Sequence, residues 1–237
     1  MVRGEYMSNN KFVPDIKGTL RSHMIELPEV IRNASGIRVF GKRLKSFVFT
    51  TDVAIIRNTN ADAVIAVYPF TPQPVITAAL VLSADVPVFC GVGGGLTTGK
   101  RVINLALDAE FKGAMGVVLN GPTSNEVIRL VRETVDVPIV VSVLSEYDDI
   151  QARIDAGTTI LNVTGAKRTA YIVRKIREQF PDFPIIATGG ATEESIMETI
   201  EAGANAITYT PPTSAKIFSG IMNTYRERYK EQENRQK

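Results

Sequence analysis

The stretch Ile185-Ile-Ala-Thr-Gly-Gly-Ala-Thr-Glu-Glu-Ser-Ile-Met-Glu-Thr-Ile-Glu-Ala-Gly-Ala-Asn-Ala-Ile-Thr-Tyr-Thr210 decides the fold. It reads as a buried strand, a glycine turn, a short helix, an Ala-Gly exit and a second strand. Glycines at a strand end let backbone N–H groups approach a ligand, and the helix that follows adds the positive end of its dipole. A (β/α)8 barrel holds a phosphate in this way between its last two units.

The same unit recurs upstream. Three strands open on a proline: Val86-Pro87, Val137-Pro138 and Phe183-Pro184. A proline is tolerated at a strand's first residue because no ladder N–H is needed there. Between them lie Asn60–Tyr68, Gly113–Asn120, Gly157–Thr164 and Gly203–Thr210, three of which start at a glycine suited to a helix C-cap. With Ser46–Thr51 as the first, eight short Val- and Ile-rich strands can be counted, without strict alternation, as expected of parallel strands buried on both faces. The pair pattern repeats about every 45–50 residues, so four quarters close one sheet. The predicted fold is therefore an α/β (β/α)8 TIM barrel with an N-terminal extension. The expected divisions are residues 1–45, covering one end of the barrel, the barrel over 46–229, and a charged tail over 230–237. A doubly wound sheet is the rival, but Thr51-Asp52-Val53 is not the glycine turn it needs after its first strand.

Between the strands the periodicity is helical. Ile103, Leu105, Leu107 and Phe111 are expected to face inward after the third strand, Val127, Ile128 and Val131 after the fourth, and Ile172, Val173 and Ile176 after the sixth. Thr123 or Ser124, Ser145 with Asp148, and Thr192 are the expected caps. A short helix near Leu27–Asn33, a strand at Ile37–Phe40 and a last helix from Ser214 to about Tyr229 complete the reading.

The chain has 237 residues, 44% of them hydrophobic, enough for one large core, since such a barrel takes about 250 residues. A net charge of +2 with scattered basic residues leaves no footprint for nucleic acid. The single cysteine, Cys90, excludes an internal disulfide. No apolar run reaches the roughly 18–20 residues of a membrane span, and no charged-then-apolar leader opens the chain, so a cytoplasmic location is expected. Residues 1–10 read as a polar lead-in, with Met7 an alternative start.

Chemistry in a barrel sits at the C-terminal ends of the strands. Aligning the quarters puts Tyr68, Asn120, Thr164 and Thr210 at the top of the even strands, with Ala66, Val118, Asn162 and Thr208 one layer below. Gly91, Ser142 and Thr188, with Thr50, are the matching positions in the odd strands. The expected ligand-binding set is therefore Tyr68, Asn120, Ser142, Asn162, Thr164, Thr188 and Thr210. To it are added the N–H groups of Gly189, Gly190, Ala191 and Thr192, and Thr213 and Ser214 at the start of the last helix.

Charge near the mouth comes from Asp52, Glu146, Lys100 and Lys167. Asp52 or Glu146 could serve as a general base with a pKa raised by partial burial, and Lys167 is the lysine nearest a strand end for imine chemistry. Asp52 could equally cap a helix, Glu146 sit in a first helical turn, and Lys167 be solvated surface. The segment Gly91-Val-Gly-Gly-Gly-Leu-Thr-Thr-Gly-Lys100 has P-loop spacing, but Arg101 stands where magnesium needs Ser or Thr, so nucleotide hydrolysis is rejected. Gly93, Gly94, Gly95 and Lys100 remain a candidate lid. Cys90 is expected to point at the helices. The single histidine, His23, precedes the barrel, which removes histidine-based triads and histidine-rich metal sites unless the N-terminal segment folds over the mouth. No metal site or cofactor is predicted, and magnesium enters only with a phosphorylated substrate.

Residues 185–210 resemble the corresponding segment of the phosphate-binding (β/α)8 barrels, the ribulose-phosphate-binding group. The resemblance implies a phosphate docked at Gly189–Thr192. It departs where Thr210 is followed by Pro211-Pro212, which have no N–H to donate. The whole chain is also similar to bacterial barrel proteins labelled only "hydrolase", which implies nothing about mechanism. The expected function is an enzyme acting on a phosphorylated or anionic small metabolite, with isomerase, lyase and hydrolase chemistry unresolved. The alternative is a non-catalytic metabolite-sensing barrel with a basic face formed by Arg168, Arg174, Lys175, Arg177, Arg226, Arg228 and Lys230. Homo-oligomer formation could use the aliphatic run Val75–Leu82.

Overall fold

A computed structural model describes residues 24–235 together with Pro14, Ile16, Gly18 and Thr19. The polar lead-in, the alternative start at Met7, and His23 lie outside the described residues. Eight parallel strands close into a barrel: β3 (Ser46–Phe49), β4 (Ala63–Ala66), β5 (Val88–Gly93), β6 (Gly116–Leu119), β7 (Ile139–Val143), β8 (Ile160–Val163), β9 (Ile185–Thr188) and β10 (Ala206–Tyr209). Each pairs with the next in sequence, and β10 returns to β3. The α/β TIM barrel expected from the repeat is the observed fold.

The helices of the outer layer are α1 (Val53–Arg57), α2 (Pro74–Ser83), α3 (Lys100–Phe111), α4 (Asn125–Thr134), α5 (Ile150–Asp155), α6 (Thr169–Gln179), α7 (Glu193–Glu201) and α8 (Ser214–Arg235). In α1, α4, α5 and α7 the start follows from a side-chain oxygen that satisfies first-turn N–H groups. Ser124 accepts from Val127 N–H at 3.3 Å, and Thr192 with Ser195 forms a capping box on α7. Ser145 and Asp148 do exchange turn bonds, yet α5 starts later and is capped by Asp149. Gly113, Gly157 and Gly203 leave α3, α5 and α7 at φ of 91°, 110° and 110°, where only glycine avoids strain.

The α4 and α6 faces are as expected, with Ile128 and Val131, and Ile172, Val173 and Ile176, buried. In α3 the buried stripe is Val102, Ala106 and Ala109, and Phe111 is exposed. The small alanines mark the closest approach to the sheet, and the larger Ile103, Leu105 and Leu107 fill the flanks.

Two strands precede the barrel, β1 (Ile37–Val39) and β2 (Lys42–Leu44), paired antiparallel. Ile37, Val39 and Leu44 join Phe47, Ala63, Phe89 and Val140 in one interior cluster, so this hairpin plugs the N-terminal end of the barrel. Phe47 and Phe89 meet edge to face at 5.3 Å between centroids. Gly116 makes room for them, since a Cβ there would lie 2.5 Å from the Phe89 ring. Upstream, the 3-10 turn Glu29–Asn33 packs on α7, and Leu27 and Ile31 enter the outer cluster with Val48 and Ile207. The last helix runs on to Arg235 rather than fraying near Tyr229, and no described side chain of it is buried. Among the described residues no helix is long and apolar enough to cross a membrane.

Leu44→Ala should remove the plug's best-buried side chain and cost about 2–5 kcal/mol in urea unfolding. A loss below about 1 kcal/mol would show that the hairpin does not close the interior.

Candidate functional site

Above the Phe47–Phe89 layer the interior opens into a cavity of about 390 Å3 at the C-terminal ends of the strands. Asn120, Ser142, Asn162, Thr164, Thr188 and Thr210 all line it, as the alignment of the quarters expects, and Thr208 joins them one layer down. The rest of its wall is Phe49, Ile65, Val67, Val118, Gly121, Pro122 and Leu144. None of these residues is charged.

In the first two strands the parity differs from expectation. Ile65 and Val67 face the interior, while Ala66 belongs to the outer cluster. Tyr68 therefore turns away from the mouth, and its hydroxyl accepts from Gln73 N–H at 2.8 Å. Likewise Phe49, not Thr50, lines the cavity, and the Thr50 hydroxyl accepts from Asp52 N–H at 3.1 Å. Counting in twos from Phe47 would have found Phe49, and counting from Ala63 would have found Val67. Aligning the quarters set both one residue too far along the strand.

The cavity floor holds unspent hydrogen-bonding capacity. Asn162 Nδ2 donates to Ser142 Oγ at 3.4 Å, but Asn162 Oδ1 and Thr208 Oγ1 are buried without a protein partner. A buried polar group left unpaired costs about 1–3 kcal/mol. The two atoms stand on β8 and β10, to either side of β9, and belong to residues that line one cavity.

At the predicted anion cradle the donors are divided. Gly189 N–H already donates to the Thr208 carbonyl at 3.4 Å, and Thr192 N–H to Ser195 Oγ at 3.2 Å. Gly190, at φ of 85°, and Ala191 are exposed, and their N–H groups have no protein acceptor among the described residues. On the far side the Thr213 hydroxyl accepts from Lys216 N–H at 3.2 Å, and Ser214 lies beside Asp52. The cradle read as four amides and a helix start thus has two free amides.

The candidate bases are placed elsewhere. Asp52 caps α1, accepting from Ala54 N–H at 2.9 Å and Ile55 N–H at 3.4 Å. The Ser214 hydroxyl, together with these amides, holds its carboxyl below the usual range. Glu146 forms an ion pair with Arg168 and lines a surface cleft beside Asp148 and Lys175. A backbone hydrogen bond and the Arg168 guanidinium lower its pKa. Both shifts run opposite to that of a base raised by burial, so the expectation is corrected: hydrogen bonding outweighs desolvation at both carboxylates. Lys167 is exposed in the 3-10 turn Ala166–Arg168, outside the cavity wall. Cys90 packs in the outer cluster, and burial pushes its thiol up to about 12, which removes it as a nucleophile.

The glycine loop is pinned. Gly93 and Gly94 adopt φ of 131° and 101°. A Cβ on Gly94 would fall 1.8 Å from Thr123 Oγ1, and Asn120 N–H donates to the Gly93 carbonyl at 3.0 Å. The loop thereby walls a second cavity of about 210 Å3. Lys100 is exposed on the first turn of α3 and lines neither chamber.

No protein-family profile matches the chain, and no curated protein sequence matches it. Solved structures do. Oxaloacetate acetylhydrolase aligns at 12% identity over 83% of this chain and 83% of its own, with a TM-score of 0.61. 2,3-Dimethylmalate lyase, described as a PEP mutase/isocitrate lyase superfamily member, aligns at 12% identity over 86% and 85%, with a TM-score of 0.59. A phosphonopyruvate hydrolase complex with oxalate and Mg++ also aligns at 12%, over 80% and 83%, with a TM-score of 0.59. At these identities the likeness defines a class of fold, the TIM barrel. Magnesium is held by one or two protein carboxylates plus substrate oxygens. This cavity wall offers only amides, hydroxyls and carbonyls, and among the described residues no three His, Cys, Asp or Glu side chains converge. The wall therefore does not fit a resident metal ion.

Asp52→Ala should cost about 1 kcal/mol of stability at pH 7, as loss of a helix cap does. The folded pKa of Asp52 is depressed, so its contribution is fully present above the unfolded value near 4 and is lost as pH falls through the folded value. The gap between wild type and variant should therefore close in acid. A gap that stays constant down to pH 2 would refute the capping role.

Proposed function

We propose that this chain is an enzyme acting on a small phosphorylated or carboxylate metabolite bound at the C-terminal mouth of the barrel. The observation that carries the reading is the pair of unpartnered buried atoms, Asn162 Oδ1 and Thr208 Oγ1, in the wall of a charge-free cavity of about 390 Å3. A ligand hydroxyl would donate to Asn162 Oδ1, and Thr208, Ser142 and Asn120 would orient its other oxygens. The oxyanion would lie at the rim, where the Gly190 and Ala191 amides and the N-terminus of α7 offer donors and a dipole without a cation. The similar barrels named above act, by their names, on small carboxylate or phosphonate acids, which is in keeping with that size and chemistry. Isomerase, lyase and hydrolase chemistry all suit a wall that polarises carbonyl or hydroxyl oxygens through neutral donors.

A second reading, a sensor that binds without turnover, is favoured by one observation: neither Asp52 nor Glu146 lies in the cavity wall. Read-out through RNA is disfavoured. Arg168 pairs with Glu146, Lys175 with Glu178, and Arg177 is spent on the carbonyls of Gly203 and Phe183 and on Asn205.

Thr208→Val keeps the side chain's shape and deletes the unpaired hydroxyl. It should raise the unliganded protein's stability by about 1 kcal/mol and weaken binding at least tenfold. The measurement is thermal melting with inorganic phosphate, phosphoenolpyruvate, oxalate and oxaloacetate, repeated with Asn162→Ala. Melting shifts that survive both substitutions, or no shift with any of the four, would end the reading. Turnover of the compound that binds separates enzyme from sensor.

A further inference from the structure

The second chamber, of about 210 Å3, lies between the loop after β4 and the glycine loop after β5. Val67 and Asn120 line both this chamber and the mouth cavity, so those two side chains stand between them. Its side-chain walls are mainly apolar, with Thr71, Thr97 and Asn120 the polar members. The Tyr68 ring forms one wall, with its hydroxyl engaged by Gln73 N–H. Pro69 and Pro72 add rigid apolar surface with no N–H. No charged side chain lines it.

The rim is unusual. Phe70 is 73% exposed and Leu96 94% exposed, one on each loop, and both border the chamber. The loops that carry them are tied together, with Thr97 Oγ1 and Thr71 Oγ1 at 3.1 Å. The glycine loop is also held against Asn120 and Thr123, where Gly94 leaves no room for a side chain. An aromatic and an aliphatic side chain held in water on anchored loops, over a chamber walled by Val67, Tyr68 and two prolines, gain burial only when something fills the space beneath them. An apolar cavity of about 150 Å3 takes one benzene ring, so this chamber has the capacity for one ring or a short branched chain.

We propose that this chamber is a specificity subsite for a flat apolar extension of the ligand whose polar head occupies the mouth. The ligand class is then a small oxyanion-bearing compound with an aromatic or unsaturated tail, which passes between Val67 and Asn120 and lies under Phe70 and Leu96. The inference rests on the mouth being the ligand site, and the experiment keeps the two apart.

Methyl phosphate and benzyl phosphate share a head group and differ in the ring. Titration of the full chain by calorimetry, with amide chemical shifts recorded in parallel, should find benzyl phosphate bound about tenfold more tightly. The Gly95 and Leu96 amides should move with benzyl phosphate alone. In Phe70→Ala/Leu96→Ala, both exposed positions that the fold can spare, the preference should vanish while methyl phosphate binds as before. Equal affinities in the wild type, or a benzyl preference that persists in the double variant, would overturn the subsite. Thr208→Val, which removes a buried hydroxyl able to donate to a phosphate oxygen, reports on the mouth separately. If it leaves methyl phosphate binding unchanged while the Phe70-dependent preference persists, the mouth reading fails and the subsite stands. Binding of neither probe at millimolar concentration overturns both.

Discussion

The structure depends on how the inside of the barrel is filled. A closed sheet of short Val- and Ile-rich strands must bury both faces, and the outer face is covered by helices. The inner face is filled from below, by the edge-to-face pair Phe47 and Phe89 and by Ile37, Val39 and Leu44 of the hairpin. That large volume at the N-terminal end satisfies the packing of the lower layers. The upper layers are thereby freed from a packing role, and short polar side chains can stand there. The cavity is the complement of the plug.

The outer layer shows a related economy. Leu27 and Ile31, from the segment before the barrel, lie in the cluster that covers Val48 and Ile207 of the adjoining strands β3 and β10. In a (β/α)8 barrel each strand is followed by a helix of the outer ring, and the helix following β10 is α8. Here α8 buries no described side chain, and Phe218, Tyr225 and Tyr229 are exposed along it. The 3-10 turn that precedes the first strand packs instead on α7, which itself lies against β10.

Much of this could be read from the sequence, for identifiable reasons. Strand number followed from the prolines at 87, 138 and 184 and the glycines at 113, 157 and 203, because backbone constraints of that kind survive without knowledge of packing. The mouth residues Asn120, Ser142, Asn162, Thr164, Thr188 and Thr210 followed from alternation in strands whose ends were correctly placed. Where the end was misplaced by one residue, as at Tyr68 and Thr50, alternation inverted the answer. The roles of Asp52 and Glu146 were less legible. Whether a carboxylate is a base or a cap depends on which donors reach it, and Ser214 and Arg168 come from chain 162 and 22 residues away. Long-range partners of that sort leave no periodic trace. The second chamber was hidden for the same reason, since its walls come from two loops whose contact is made by Thr71 and Thr97.

The absence of charge from the wall has a consequence for any oxyanion that enters. A lone lysine in so enclosed a space would carry a large desolvation cost until the ligand arrived. Amide dipoles and hydroxyls carry a smaller one, and they can be left unpaired at Asn162 and Thr208 without unfolding the barrel. Attraction from dipoles falls off faster with distance than attraction from a charge, so it discriminates by position. A wall of this kind selects a ligand by where its oxygens and hydroxyls sit, not by its total charge. No side chain in the wall changes charge near neutrality, so the pH dependence of binding is inherited from the ligand's own ionisation, near pH 6 for a phosphate monoester.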